Sequence, residues 1–185
     1  MIGRWTFHGH AIVSEDDRIA GADGLTPDSL RNEADWRRFQ SALDTAAVTI
    51  LGRLGHEVNP NPKRRRRLVM SRSVAGLERH DDGWWWNPAG MSIGKALAEV
   101  APEGGVAAIP GGREVFDFFL ETGFDRFDLA RVAGVRIAGG IPIFSSVSEG
   151  RSAAGSLAAH GLRPAPPEVL DAAAGVSVTR WQRTG

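Results

Sequence analysis

The segment Val106-Ala-Ala-Ile-Pro-Gly-Gly-Arg-Glu-Val-Phe-Asp-Phe-Phe-Leu120 constrains what this chain can fold into more than any other stretch. A short apolar run ends in Gly111-Gly112 and opens directly into an apolar-periodic helix. A buried strand that reaches a glycine pair and then a helix start leaves backbone N–H groups directed at open space, which suits an anionic group. Taken alone, the pair also fits a tight strand-to-helix turn that needs glycine torsions and nothing more.

Short Val- and Ile-rich runs recur between helix-like segments, the pattern of an α/β protein with a largely parallel sheet. Strands are predicted near 5–13, 47–51, 67–71, 84–86, 105–109 and 126–132, with a C-terminal pair near 168–171 and 176–183. The alternation in Val176-Ser-Val-Thr-Arg-Trp-Gln182 marks the last of these as an antiparallel edge strand. The first helix is predicted from Pro27 to Leu43, with Thr26 as N-cap and proline at the first helical position, where a missing N–H costs nothing. Two more are predicted over Ser92–Val100 and Arg113–Thr122, the latter closed by Gly123.

At 185 residues the chain is read as one domain, 1–185, with core enough to fold without disulfides or a structural metal. Twenty-two basic and 22 acidic residues cancel, which argues against a protein that lives on nucleic acid. There is no cysteine, no apolar run of membrane-spanning length, and no signal-peptide core at the N-terminus, where Arg4 and His8 interrupt it. A soluble, cytoplasmic protein is the expectation, and a homodimer is left open. His8-x-His10 places two imidazoles on one strand face, but no third ligand is nearby and no metal site is expected.

Four further segments, in order, extend the glycine pair into a pattern. They are Ala11–Ala20, Val48-Thr-Ile-Leu-Gly-Arg53, Arg67-Leu-Val-Met-Ser-Arg72 and Gly139-Gly-Ile-Pro-Ile-Phe144. Together, over roughly 5–144, the chain resembles the dihydrofolate reductase superfamily, including its riboflavin-biosynthesis reductase branch. The resemblance implies a central, mostly parallel mixed sheet with helices on both faces, NADPH as cofactor and a heterocyclic small molecule as substrate. It implies cofactor contacts from Gly52, Arg53, Ser71, Arg72, Ile109, Gly111, Gly112, Arg113, Glu114 and Val115, and a cis Gly111–Gly112 peptide.

On the first helix Asp35 and Phe39 lie four apart and share a face with Leu43. A carboxylate on an apolar helix face is solvated, paired or functional, since burying it alone is expensive. The resemblance implies that Asp35 is the catalytic acid and that Ser14, Phe39, Arg65 and Pro110 meet the substrate. The chain also departs from the family pattern. Leu54-Gly55-His56 follows Gly52-Arg53 where a phosphate-binding Thr is usual, leaving the Gly55 N–H and the His56 ring as substitutes. Asp17 replaces a Gly of the riboflavin branch, Pro110 precedes the glycine pair, and Ala130 replaces a Thr that supports the acid.

Lys63-Arg-Arg-Arg-Arg67 reads either as a solvated loop or as a phosphate-backbone patch, and it lacks the interleaved aromatics of the latter. In Trp84-Trp-Trp86 the outer two rings face one way and the middle one the other, for packing or for a stacking surface. The function expected is NADPH-dependent reduction of a pterin, folate or related pyrimidine. Reduction of a ribosylamino-pyrimidine, or a non-catalytic nucleotide-binding module of the same fold, are the alternatives.

Overall fold

A computed structural model describes residues 4–184. In chain order the elements are β1 (Trp5–Val13), β2 (Arg18–Ala20), a 3-10 turn (Asp28–Leu30), α1 (Glu33–Thr45), β3 (Val48–Gly52), α2 (Arg53–Val58), β4 (Arg67–Met70), β5 (Leu77–His80) and β6 (Gly83–Trp86). There follow α3 (Ile93–Val100), β7 (Gly105–Gly111), α4 (Arg113–Thr122), β8 (Arg126–Val132), β9 (Ile141–Pro142), α5 (Ser145–Ser148), α6 (Ala153–Ala159), β10 (Leu162–Pro164), β11 (Glu168–Asp171) and β12 (Val176–Arg183). The main sheet runs β10-β12-β8-β1-β7-β3-β4-β6-β5, with β11 added against β12. Its centre, from β8 to β6, is parallel; β12, β10, β11 and β5 are antiparallel to their neighbours. Among the described residues no helix is long and apolar enough to cross a membrane.

The two faces of the sheet are covered differently, and that difference makes the site. On one face α3 buries Ile93, Ala96, Leu97 and Val100, and α4 buries Val115, Phe116, Phe119 and Leu120, each a continuous apolar stripe. They meet a phenylalanine cluster in which Phe7 and Phe119, and Phe124 and Phe127, have ring centroids 5.0 Å apart. Each such ring contributes roughly 1.5–3 kcal/mol on burial, so this face carries most of the stabilisation. On the other face α1 buries only Leu43. Its remaining apolar side is left over a cleft.

Several boundaries differ from the sequence reading. The first helix does not start at Pro27: Asn32 accepts hydrogen bonds from the Ala34 and Asp35 amides and caps α1 at Glu33. Pro27 instead precedes the 3-10 turn, whose Leu30 is buried. An amide oxygen reaching two orphan N–H groups outcompetes a threonine followed by proline. Strand β7 continues through Pro110 to Gly111, and the short elements β2, β5, β9, β10, α2, α5 and α6 were below the resolution of the periodicity. Gly123 ends α4 as expected, at φ 111°, its N–H bonded to the Phe119 carbonyl.

Candidate functional site

A cleft of about 1620 Å³ opens above the carboxyl ends of β1, β3, β4 and β7. One wall is α1, which presents Asp35, Arg38 and Phe39; the other is Pro110, Gly111, Gly112 and the first turn of α4. The Gly111–Gly112 peptide is cis. Gly111 sits at φ 100°, and a Cβ there would meet the Phe116 ring at 2.4 Å; a Cβ on Gly112 would meet nothing within 4 Å. The first glycine is therefore required by packing, and the second leaves open space beside the cleft.

Helices α2 and α4 both begin at glycines, Gly52 and Gly112, with no side-chain cap. Their first-turn residues, including Gly55, Arg113, Glu114 and Val115, line the cleft, and a helix's first-turn N–H groups have no partner within the helix. The Arg113 Nε is buried with no hydrogen-bond partner. Uncapped amides and an orphaned guanidinium nitrogen around one opening fit the phosphates of a dinucleotide. Arg53 and Arg72 stand at the mouth, 59% and 85% exposed, each loosely matched to a carboxylate: Glu57 and Glu114, both at 3.5 Å. Ser71 and Arg72 also border a second groove of about 630 Å³ against Phe118 of α4.

On the α1 wall Asp35 is half-buried. Burial with no compensating hydrogen bond raises its pKa from 3.8 to about 6; the Arg38 charge opposes this and the Asp128 charge adds to it. Phe39 lies between Trp36, at 5.9 Å between ring centroids, and the His10 ring at 6.0 Å. Arg65 reaches the cleft edge from the loop before β4, held by Asp44 at 2.6 Å and Gln40 at 2.8 Å.

Beneath α1 lies a cluster that sequence reasoning missed. Asp128 on β8 is 3% exposed and gathers Arg38 at 3.1 Å, Arg126 at 2.5 Å and Arg180 at 3.4 Å. Burial pushes its pKa up, but the Arg126 hydrogen bonds and the Arg38 charge outweigh this and hold the carboxyl below its usual range. His10 stands beside it in register on β1, with Nδ1 3.8 Å from Asp128, too far for a hydrogen bond. Burial lowers the ring to about 4 against the attraction of Asp128, so His10 is neutral and the contact is not an ion pair. His10, Arg38 and Asp128 all line the cleft. The signals were present in His8-x-His10 and in Asp128 two residues before Ala130, but only the register brings them together.

Three expectations are corrected. Ser14 is fully buried outside the cleft, donating to Asp16 at 2.7 Å and accepting from the Arg18 amide at 3.0 Å; it holds the turn after β1 rather than meeting a substrate. Ile109 is fully buried in the core and is not among the residues that line the cleft. His56 points inward, with Nε2 2.7 Å from Asp82 and Nδ1 3.2 Å from Arg67, so its ring is turned away from any phosphate. Asp17, where the riboflavin branch has glycine, keeps a glycine-like φ of 60° and uses its carboxylate to bind Arg131 and the Ala153 amide. Four of the five basic residues of the run have partners within the chain: Lys63 and Arg65 on Asp44, Arg66 on Glu103, Arg67 on the Asn59 carbonyl and His56. Trp84 and Trp86 pack on the core and Trp85 on the opposite side beside His80, the packing reading of the tryptophan run.

No protein-family model and no curated protein matches the sequence. Solved structures are nevertheless similar along almost the whole chain. A protein assigned to riboflavin biosynthesis from Shewanella sp. PV-4 is 16% identical, with 97% of this chain and 99% of that one covered at a TM-score of 0.66. Dihydrofolate reductase from Enterococcus faecalis, solved with NADP(H) and RAB-propyl, is 16% identical, with 97% of each chain covered at 0.65. The fold is that of dihydrofolate reductase. A third structure, the diaminohydroxyphosphoribosylaminopyrimidine deaminase/5-amino-6-(5-phosphoribosylamino)uracil reductase of Thermotoga maritima, is 14% identical with a TM-score of 0.67. It covers 98% of this chain, which spans 57% of that longer protein. In the dihydrofolate reductase-like fold the cleft lies where the strand ends, α1 and the α4 N-terminus converge, and the residues lining it are this chain's own.

Proposed function

We propose that this protein is an NADPH-dependent reductase of a pterin, folate or related pyrimidine heterocycle. The observation that carries the reading is that one cleft joins a protonatable carboxyl, Asp35, to a glycine-lined wall of uncapped helix amides around Gly112. Proton supply and dinucleotide binding are the two requirements of such a reaction.

The residues divide the work along the cleft. Backbone amides of Arg113, Glu114 and Val115, with the Arg113 guanidinium, would hold the cofactor's phosphates, and Gly52, Gly111 and Gly112 let the backbone approach. Arg53, Ser71 and Arg72 receive the 2′-phosphate at the mouth. The cofactor, when bound, supplies the hydride. Phe39 and Pro110 bound the heterocycle, and Arg65, preset by Asp44, takes a carboxylate or phosphate tail. Asp35 gives the proton to a ring nitrogen, directly or through a water it orders.

Reduction of a ribosylamino-pyrimidine is the second reading, supported by the structural likeness to the two riboflavin-related proteins. Purified protein mixed with NADPH and, in turn, folates, pterins and ribosylamino-pyrimidines tests both through loss of the reduced-nicotinamide absorbance. Turnover on one class selects the substrate. Cofactor binding without turnover on any of them contradicts the reductase reading in favour of a non-catalytic nucleotide-binding module.

A further inference from the structure

Arg38 follows Asp35 by three residues on α1, a spacing at which a carboxylate and a guanidinium on a helix surface ordinarily pair. Here the guanidinium goes elsewhere: its Nη1 lies 3.1 Å from Asp128, and the side chain is only 23% exposed. Asp128 is well supplied without it, since Arg126 forks onto both carboxylate oxygens at 3.0 and 2.5 Å and Arg180 adds a third contact. Its place is fixed by the sheet, opposite His10 on β1 and Arg180 on β12. We propose that Asp128 is a positioning residue that holds Arg38 down against the sheet, withholds it from Asp35, and so keeps Asp35 able to carry a proton at the cleft.

The groups around Asp35 agree with this arrangement. From its own helix it is faced by Arg38 and from β8 by Asp128; His10 on β1 is neutral, and Arg53, Arg113 and Glu114 stand across the cleft. A free Arg38 would favour the ionised form of Asp35, whereas an anchored one leaves burial in control. Ala130, two residues on from Asp128 and on the same face of β8, has no polar side-chain atom to offer Asp35. The control therefore passes through charge placement two residues earlier.

The importance of this for turnover rests on the proposed reductase function, but the test is made on the ligand-free full chain, so the two fail independently. The Asp35 carboxyl carbon is titrated by NMR, its resonance assigned by loss in Asp35→Asn. Asp128→Asn, which releases Arg38 and also removes the Asp128 charge that raises Asp35, is expected to lower the Asp35 midpoint by about one unit or more. Adding Arg38→Met to that variant is expected to return it to within about half a unit of wild type. Arg38→Met alone, which leaves Asp128 with Arg126 and Arg180 and so keeps the fold, is expected to move the midpoint by less than about half a unit. An Asp128→Asn midpoint within about 0.3 units of wild type would overturn the proposal, as would a double variant as low as Asp128→Asn alone. Should Asp128→Asn not fold, Arg38→Met still decides: a rise of about one unit or more shows that Arg38 already serves Asp35 and refutes the withholding.

Discussion

Arg72 Nη2 lies 3.5 Å from Glu114 Oε1 and ties the end of β4 to the first turn of α4 across the mouth of the cleft. Both side chains are largely exposed, and Arg53 with Glu57 repeats the arrangement on α2. Exposed pairs of this kind are worth about 0–1 kcal/mol, whereas a charge-assisted contact to a phosphate is worth about 1.5–3 kcal/mol. The phosphate wins. NADPH is therefore expected to bind at least about tenfold tighter than NADH, a preference abolished in an Arg53→Ala, Arg72→Ala double variant. Calorimetric titration of both cofactors checks this, and equal affinities in the wild type would remove the assignment.

Asp35→Asn is expected to lower turnover by about 10²-fold while leaving NADPH affinity within about threefold, because the loss falls on proton supply rather than on cofactor binding. The pH profile carries the sign. A donor with a pKa raised to about 6 is protonated below that value, so turnover should be level there and fall about tenfold per pH unit above it. A wild-type profile flat through this range, on a verified substrate, would contradict the role.

The same carboxyl predicts a pH-dependent stability. Below about 4 it is protonated folded and unfolded; between 3.8 and about 6 the folded state alone keeps its proton; above that, folding carries the full cost of a half-buried carboxylate. Asp35→Asn should thus stabilise the protein at pH 8, by about 2 kcal/mol after allowing for solvent screening, and change little at pH 4. Denaturant unfolding at the two pH values measures it.

The two glycines of the cleft wall should respond in opposite ways. Gly111→Ala places a methyl 2.4 Å from the Phe116 ring at a positive φ, and is expected to cost about 2–4 kcal/mol of stability. Gly112→Val points into open space, so the protein should fold with near wild-type stability yet lose at least about tenfold in NADPH affinity. Thermal unfolding together with calorimetry separates the effects.

What the sequence showed and what it hid follow from locality. The strand, glycine pair and helix over Val106–Leu120 are legible because each signal is local: apolar run, breaker, periodic stripe. The helix read over Ser92–Val100 is legible for the same reason, with Ser92 its N-cap and Ile93 its first residue. The start of α1 is not, because Thr26-Pro27 and Asn32 are both competent signals and only the burial of Leu30 and the double hydrogen bond to Asn32 decide between them. Asp35 and Phe39 share a helix face by spacing, and the resemblance, not the spacing, implied that this face meets the cleft they both line. Asp128 could not be read. Its importance comes from lateral neighbours on β1 and β12, residues more than a hundred and about fifty positions away, and strand register is not written in either segment. His56 misleads for the converse reason: beside Gly52-Arg53 it looks available, but Asp82 from the β5–β6 turn and Arg67 from the start of β4 draw it inward.

Calorimetric titration of NADPH into the wild-type protein and into Gly112→Val tests the central claim most directly, since it asks whether this cleft is the dinucleotide site. Saturable one-to-one binding in the wild type, weakened at least about tenfold in the variant, is expected. No saturable heat with the wild type, or equal affinity in a folded Gly112→Val protein, would contradict it.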